Sequence, residues 1–208
     1  PAAAEVLAIV DEDAVADLAL NSPLHLQNVY HQLAELGRMG CPYHVVLADD
    51  AARMDLTPYR LALLLLCPRR DAELTALVDR LRGAGLSLVS WPGTGLIADH
   101  CLDPAGASAI VGLPLSIPDS APTSLQGDGP QGPYGATAPL SHRLMATTAL
   151  AIASRGQAFD AFTAVAPLPG RLLADLASRA GCHLWHPGGT LVWASRNLVA
   201  IHADAAAS

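Results

Sequence analysis

Residues 5–10 (EVLAIV) form a short apolar run that closes on Asp11, the pattern of a strand buried on both faces. Ser22 and Pro23 then read as the cap and first residue of a helix. Its apolar stripe is Leu26, Val29, Tyr30, Leu33 and Leu36, with Gly40 as the stop. YHVVLA (43–48) and RLALLLL (60–66) predict the second and third strands. From Asp71 to Arg82 the helical spacing returns through Leu74, Leu77, Val78 and Leu81, and Gly83 and Gly85 close it. LSLVSW (86–91) is the fourth strand. Near-continuous apolar strands alternating with helices predict a mainly parallel sheet covered on both faces, a three-layer α/β sandwich of flavodoxin-like type.

The alternation breaks at 116–142, a segment rich in Pro, Gly and Ser that predicts a long irregular excursion. Order returns with AFTAVAP (161–167) as a strand and with a helix carrying Leu172, Leu173, Leu176 and Ala180 up to Gly181. CHLW (182–185), the turn Pro187-Gly188-Gly189 and TLVWAS (190–195) predict a C-terminal β-hairpin, with LVAIHA (198–203) as a last strand.

Composition narrows the class. The 208 residues suit one domain, and 51% hydrophobic content with 15% charged provides a large core. Aromatics are 4%, so that core is aliphatic. The net charge is -7 and the twelve basic residues, all Arg, are scattered, which argues against nucleic acid as a partner. No stretch reaches the ~18 uninterrupted apolar residues of a membrane span, and no signal-peptide pattern is visible. The chain starts at Pro1 rather than Met, as a segment of a longer protein would.

Several residue groups invite a chemical reading. Gly93, Gly95 and Ala98 follow the fourth strand as G-x-G-x-x-A, the spacing of a dinucleotide-binding turn. Pro104 and Gly106 interrupt the helix such a turn requires, and the motif lies on the fourth strand rather than the first, so no cofactor is expected. A nucleophile elbow would need Ser or Cys in the turn; Ser90 precedes it, Thr94 lies within it, and Cys67 ends the third strand. No activating base is placed beside any of them, and a buried thiol is the plainer reading of Cys67. Cys41 and His44, with Cys182, His183 and His186, have spacings a zinc could use, but alternation along a strand separates such close pairs, so no metal is expected. The four cysteines lack a C-x-x-C pair and read as free thiols. Asp11, Glu12 and Asp13 sit where open sheets bind ligands, or form an exposed acidic loop. His25 and His31 lie six residues apart on the first helix and do not share a face.

The stretches SPLHLQNVYHQLAELGRMGCPYHVVLADD and LTPYRLALLLLCPRRDAELTALVDRLRGAGLSLVSWPGTGLI resemble the amidotransferase-like accessory module of large bacterial glycoside hydrolases. That module is known as the β-galactosidase trimerisation domain of glycoside hydrolase family 42. The resemblance rests on a helix, the turn Gly40 and Pro42, a second strand, and the lead Leu56, Tyr59 and Arg60 into the third strand. In the tail it rests on Ala180, Gly181 and His183 and on a strand ending at His202. It covers about three-quarters of the chain and leaves residues 103–158 unaligned. It implies a domain with no catalytic, cofactor or metal residues of its own, beside a separate catalytic barrel, with a homo-oligomer as a further partner. In class I glutamine amidotransferases the comparable turn carries a cysteine; here it reads Trp91-Pro92-Gly93-Thr94-Gly95. Trp185 and Trp193 are the expected interface residues, since exposed aromatics favour interface centres. The rival is a small standalone hydrolase or amidotransferase-like enzyme using Cys67 or Thr94. A sugar-binding module is a third reading, which needs exposed aromatics.

Overall fold

Alternation along the apolar runs sets the architecture. The computed structural model describes residues 4–18, 22–116, 124–129, 132–137, 149–195 and 197–202. Its main sheet has six strands: β1 (Val6–Val10), β2 (Tyr43–Leu47), β3 (Leu61–Leu66), β4 (Ser87–Ser90), β5 (Leu150–Arg155) and β6 (Ala158–Thr163). Their spatial order is β2-β1-β3-β4-β6-β5. All neighbours pair parallel except β5, which runs antiparallel to β6 at one edge. The first four strands follow the flavodoxin-like order, whose direction of winding reverses between β1 and β3.

Each central strand sends alternate residues to opposite faces, and both sets are apolar. Val6, Ala8, Leu61, Leu63, Leu65, Val89, Phe159 and Ala161 enter one core. Leu7, Ile9, Ala62, Leu64 and Leu88 enter the other. The first face is covered by helix α1 (Pro23–His25, Leu26–His31 and Gln32–Gly37 in one run) and by α4 (Gly170–Arg179). The second is covered by α2 (Ala72–Gly83) and, towards β6, by α3 (Pro104–Val111). Helix α2 matches its expected bounds and buries Leu74, Leu77, Val78 and Leu81; the Asp71 carboxylate caps it by accepting from Leu74 N at 2.8 Å.

Helix α1 differs from its predicted stripe. Leu26 and Tyr30 are exposed, at 46% and 68%, whereas Gln27, Asn28 and Gln32 are buried with Leu24 and Leu36. Residues Leu26–His31 are wound as a π-helix. The wider turn advances the phase of the buried face, so a 3.6-residue stripe counted through it lands on solvent.

The hairpin is corrected as well. An antiparallel hairpin does close the sheet, but β5 and β6 form it, across the turn at Gly156. The strand expected at 161–167 therefore begins at Ala158. Residues 182–185 form no strand; Trp185 N and His186 N instead donate to Gly40 O at 2.8 and 3.3 Å. Cys182 N donates to Ala177 O and His183 N to the Glu5 carboxylate, so these donors too are taken from a ladder. The terminal pair is β7 (Leu191–Ala194) with β8 (Val199–His202), Trp193 standing opposite Ala200. Within the expected excursion at 116–142, Ser124–Gly129 pairs with Gly132–Thr137, and the other residues from 117 to 142 lie outside those described.

Candidate functional site

Parallel strands deliver their carboxyl ends to one edge, where open α/β sheets bind ligands. Here that edge collects Asp11 after β1, Cys67 and Arg69 after β3, and the Trp91–Gly95 turn after β4.

The turn is internal. Trp91 is 0% exposed and its indole Nε1 donates to Gln32 Oε1 at 3.0 Å. Gln32 also takes Leu168 N at 2.6 Å on that oxygen and donates Nε2 to Leu168 O at 3.0 Å. One side chain thus ties α1 to the end of β4 and to the segment leading into α4. Asn28 Nδ2 donates to Pro92 O at 3.0 Å. The Thr94 hydroxyl donates to Trp91 O at 2.8 Å and lies 3.5 Å from Leu64 O, a hydroxyl spent inside the turn. Gly93 and Gly95 take φ of 92° and 64°, which glycine adopts at low cost, and a Cβ on Gly95 would lie 3.1 Å from Ile110. No helix follows directly: Ile97–Ala98 pairs with Cys101–Leu102, and α3 waits until Pro104 behind its cap Asp103. Ser90 is buried, and Ala98 lies in that short pair.

Cys67 is buried, and burial pushes its thiol up to about 12, far from a reactive thiolate. Cys41 and Cys182 come close enough to interact electrostatically in the first core, and burial raises both, Cys182 to about 12. The histidines near them in sequence turn elsewhere. His44 Nδ1 lies 2.6 Å from Tyr59 Oη, and the His183 ring meets Trp185 edge-on at 4.8 Å. Among the described residues, no three His, Cys, Asp or Glu side chains converge as a metal site would require. His25 and His31 are both exposed.

The acidic residues after β1 gather around one guanidinium. Arg69 lies 3.4 Å from Asp11, 3.3 Å from Asp13, 3.5 Å from Asp17 and 4.0 Å from Asp71. Burial raises the Asp11 pKa, and Arg69 opposes that shift. Glu12, Asp49, Arg53 and Glu73 line the adjoining cleft of about 630 Å³. Arg69 braces the loop by holding these carboxylates together, and the cleft keeps an acidic excess.

One feature escaped the sequence pattern. Asp160 on β6 is 6% exposed and lies 3.4 Å from both Arg82 and Arg155. The C-terminal surface expected from the sequence is open: within 182–195 and 197–202, Trp185 is 41%, Trp193 59% and Leu198 68% exposed. β7 packs on the end of α1, so close that a Cβ on Gly37 would meet Leu191 at 2.9 Å. The two expected interface tryptophans are therefore accessible, while Trp91 is not.

No protein-family model and no curated protein sequence matches the chain. Solved structures do. A β-galactosidase from the psychrophilic Marinomonas ef1 aligns over 94% of this chain and 32% of its own, at 19% identity and TM-score 0.58. A cold-adapted β-galactosidase from Rahnella sp. R3 aligns over 91% and 33%, at 18% identity and TM-score 0.60. A catalytic mutant of a GH42 β-galactosidase from G. stearothermophilus aligns over 93% and 33%, at 15% identity and TM-score 0.57. At these identities the likeness establishes the fold, and the chain spans about a third of the length of each of these three structures. No helix among the described residues is long and apolar enough to cross a membrane.

Proposed function

We propose that this chain is an accessory domain of a multidomain glycoside hydrolase of β-galactosidase type, supporting assembly or shaping the site of a separate catalytic barrel. The observation that carries the reading is the coverage. More than nine-tenths of this chain aligns with about a third of each of several β-galactosidases. A (β/α)₈ barrel needs about 250 residues of its own, and the described residues of this chain are organised around a different sheet. The trimerisation-domain and amidotransferase-like character suggested by the sequence belongs to this proposal, as does the resemblance to family 42.

The residues support a structural role for the carboxyl edge. Cleavage of a glycosidic bond uses two carboxyl groups across the scissile bond, and the acidic groups beside β1 are engaged by Arg69. A standalone hydrolase working from Cys67 or Thr94 is disfavoured by a thiol held up to about 12 and a hydroxyl donating to Trp91 O. The working surface of the proposal is the outer face of β7–β8, where Trp193 and Leu198 are exposed. Its proposed occupant is the catalytic part of the longer chain, with a second copy of this domain as the competing outcome.

The test compares the longer chain with its Trp193→Ser variant by light scattering, galactoside kinetics and melting. A changed KM at unchanged mass and melting temperature supports docking on the catalytic part, and a changed mass identifies the second copy. Unchanged assembly and kinetics contradict the role of this face.

A further inference from the structure

The tail holds a second feature, which stands whether or not the accessory reading holds. Residues 182–187 wrap a shallow cleft of about 390 Å³, lined by Ser178, His183, Trp185, His186 and Pro187 among others. Trp193 does not line it. We infer that this cleft is a binding site for a neutral saccharide, with Trp185 as its stacking platform.

Four observations converge. Trp185 is 41% exposed and lines the cleft, so its ring is available to a ligand. It is held firmly, because Trp185 N donates to Gly40 O at 2.8 Å and the His183 ring stands perpendicular to it at 4.8 Å. The two rings make a corner, an indole surface bounded by an imidazole. His183 is fixed in turn through its backbone N–H, which donates to the Glu5 carboxylate. The lining offers hydrogen-bonding groups without formal carboxylate or guanidinium charge: the Ser178 hydroxyl and the imidazoles of His183 and His186. His186 Nδ1 is buried beneath the cleft and has no hydrogen-bond partner among the described residues.

That set matches the surface of a pyranose. One face of such a ring presents C–H groups that lie on an aromatic plane, and its rim presents hydroxyls that both donate and accept. A phosphate or carboxylate ligand would call for an arginine clamp, and none lines this cleft among the described residues. A shallow site with one aromatic platform gives weak binding, on the order of millimolar.

The chain's three tryptophans make the test direct. Each contributes one indole N–H resonance, so an ¹⁵N-labelled chain titrated with galactose, lactose and, separately, inorganic phosphate reports on each ring. The inference predicts saturable movement of the Trp185 resonance with a sugar and still resonances for Trp91 and Trp193. Trp185→Ala should weaken the sugar-dependent shifts of the neighbouring His183 amide by about tenfold or more, and Trp185→Phe should retain part of the binding. If Trp185→Ala lowers the melting temperature sharply, the wild-type titration decides alone. Flat titrations through the tens-of-millimolar range, equal drift of all three resonances, or movement with phosphate but not with sugar would overturn it.

Discussion

Trp91 and Trp193 are the same residue type with opposite fates. Trp91 lies in a Gly-rich turn at the carboxyl edge of the sheet, the position where α/β proteins mount chemistry, and it is completely enclosed. Trp193 lies on a two-stranded appendage with no motif around it, and more than half of it is open to solvent. The turn that looks functional is spent on holding the fold, while the plainer tail keeps accessible aromatic surface. Motif shape and chemical availability are separate properties, and hydrogen-bond partners decide between them.

The largest effect should come from the closed region. Trp91→Ala removes a buried indole and one of the two donors on the Gln32 oxygen, and it should cost about 3–5 kcal/mol in denaturant unfolding. A loss under about 1 kcal/mol would mean that the turn is not the anchor described here.

Next is the joint between the regions. Gly40 has φ +88°, and a Cβ there would collide with the His186 carbonyl. Gly40→Ala should cost about 1–3 kcal/mol and loosen 182–187, read as faster amide exchange at Trp185 and His186.

Alkaline pH probes the closed cores in another way. Cys67 and Cys182 are raised from 9.0 to about 12 by burial. A folded-state pKa above the unfolded one stabilises below the unfolded value and is lost as pH rises through the folded one. The thiols' contribution to stability should thus be constant below pH 9 and fall between pH 9 and about 12, so that the alkaline loss is shallower in Cys67→Ala. At pH 8 a thiol reagent should label the exposed Cys101 first, and the other three cysteines only on unfolding. Rapid labelling of Cys67 would break the contrast between buried and available groups.

Thr94→Val should cost about 1 kcal/mol, the worth of one internal hydrogen bond. At the open end, Trp193→Ser should change stability by less than about 0.5 kcal/mol, as surface substitutions do. A drop comparable to that of Trp91→Ala would show Trp193 to be core.

Local pattern reached the elements that local physics controls. β1, β3, β4 and α2 follow from uninterrupted or 3.6-spaced apolar residues, and Asp71 announces its own cap. α1 was legible as a helix but not in phase, because nothing in LQNVYH advertises a π-turn that carries Gln27, Asn28 and Gln32 inward. β5 was missed because LAIASR was not distinguished from its flanks, and the Arg155-Gly156 turn was not recognised. The candidate chemistry at Thr94 and Cys67 was dismissed for want of a base. What those residues bind instead, and the link from Trp91 to Gln32 across 59 positions, required the folded chain. The same holds for Asp160 between Arg82 and Arg155, a cluster drawn from α2, β5 and β6.

The central claim is that this chain does no hydrolysis itself and serves a catalytic partner. The direct measurement is nitrophenyl-galactoside turnover by the purified 208-residue chain, alongside its Cys67→Ala and Thr94→Ala variants and the longer chain that contains it. The account predicts turnover indistinguishable from buffer for the chain and both variants, with activity in the longer chain. Turnover by the 208 residues alone that disappears in either variant would contradict it.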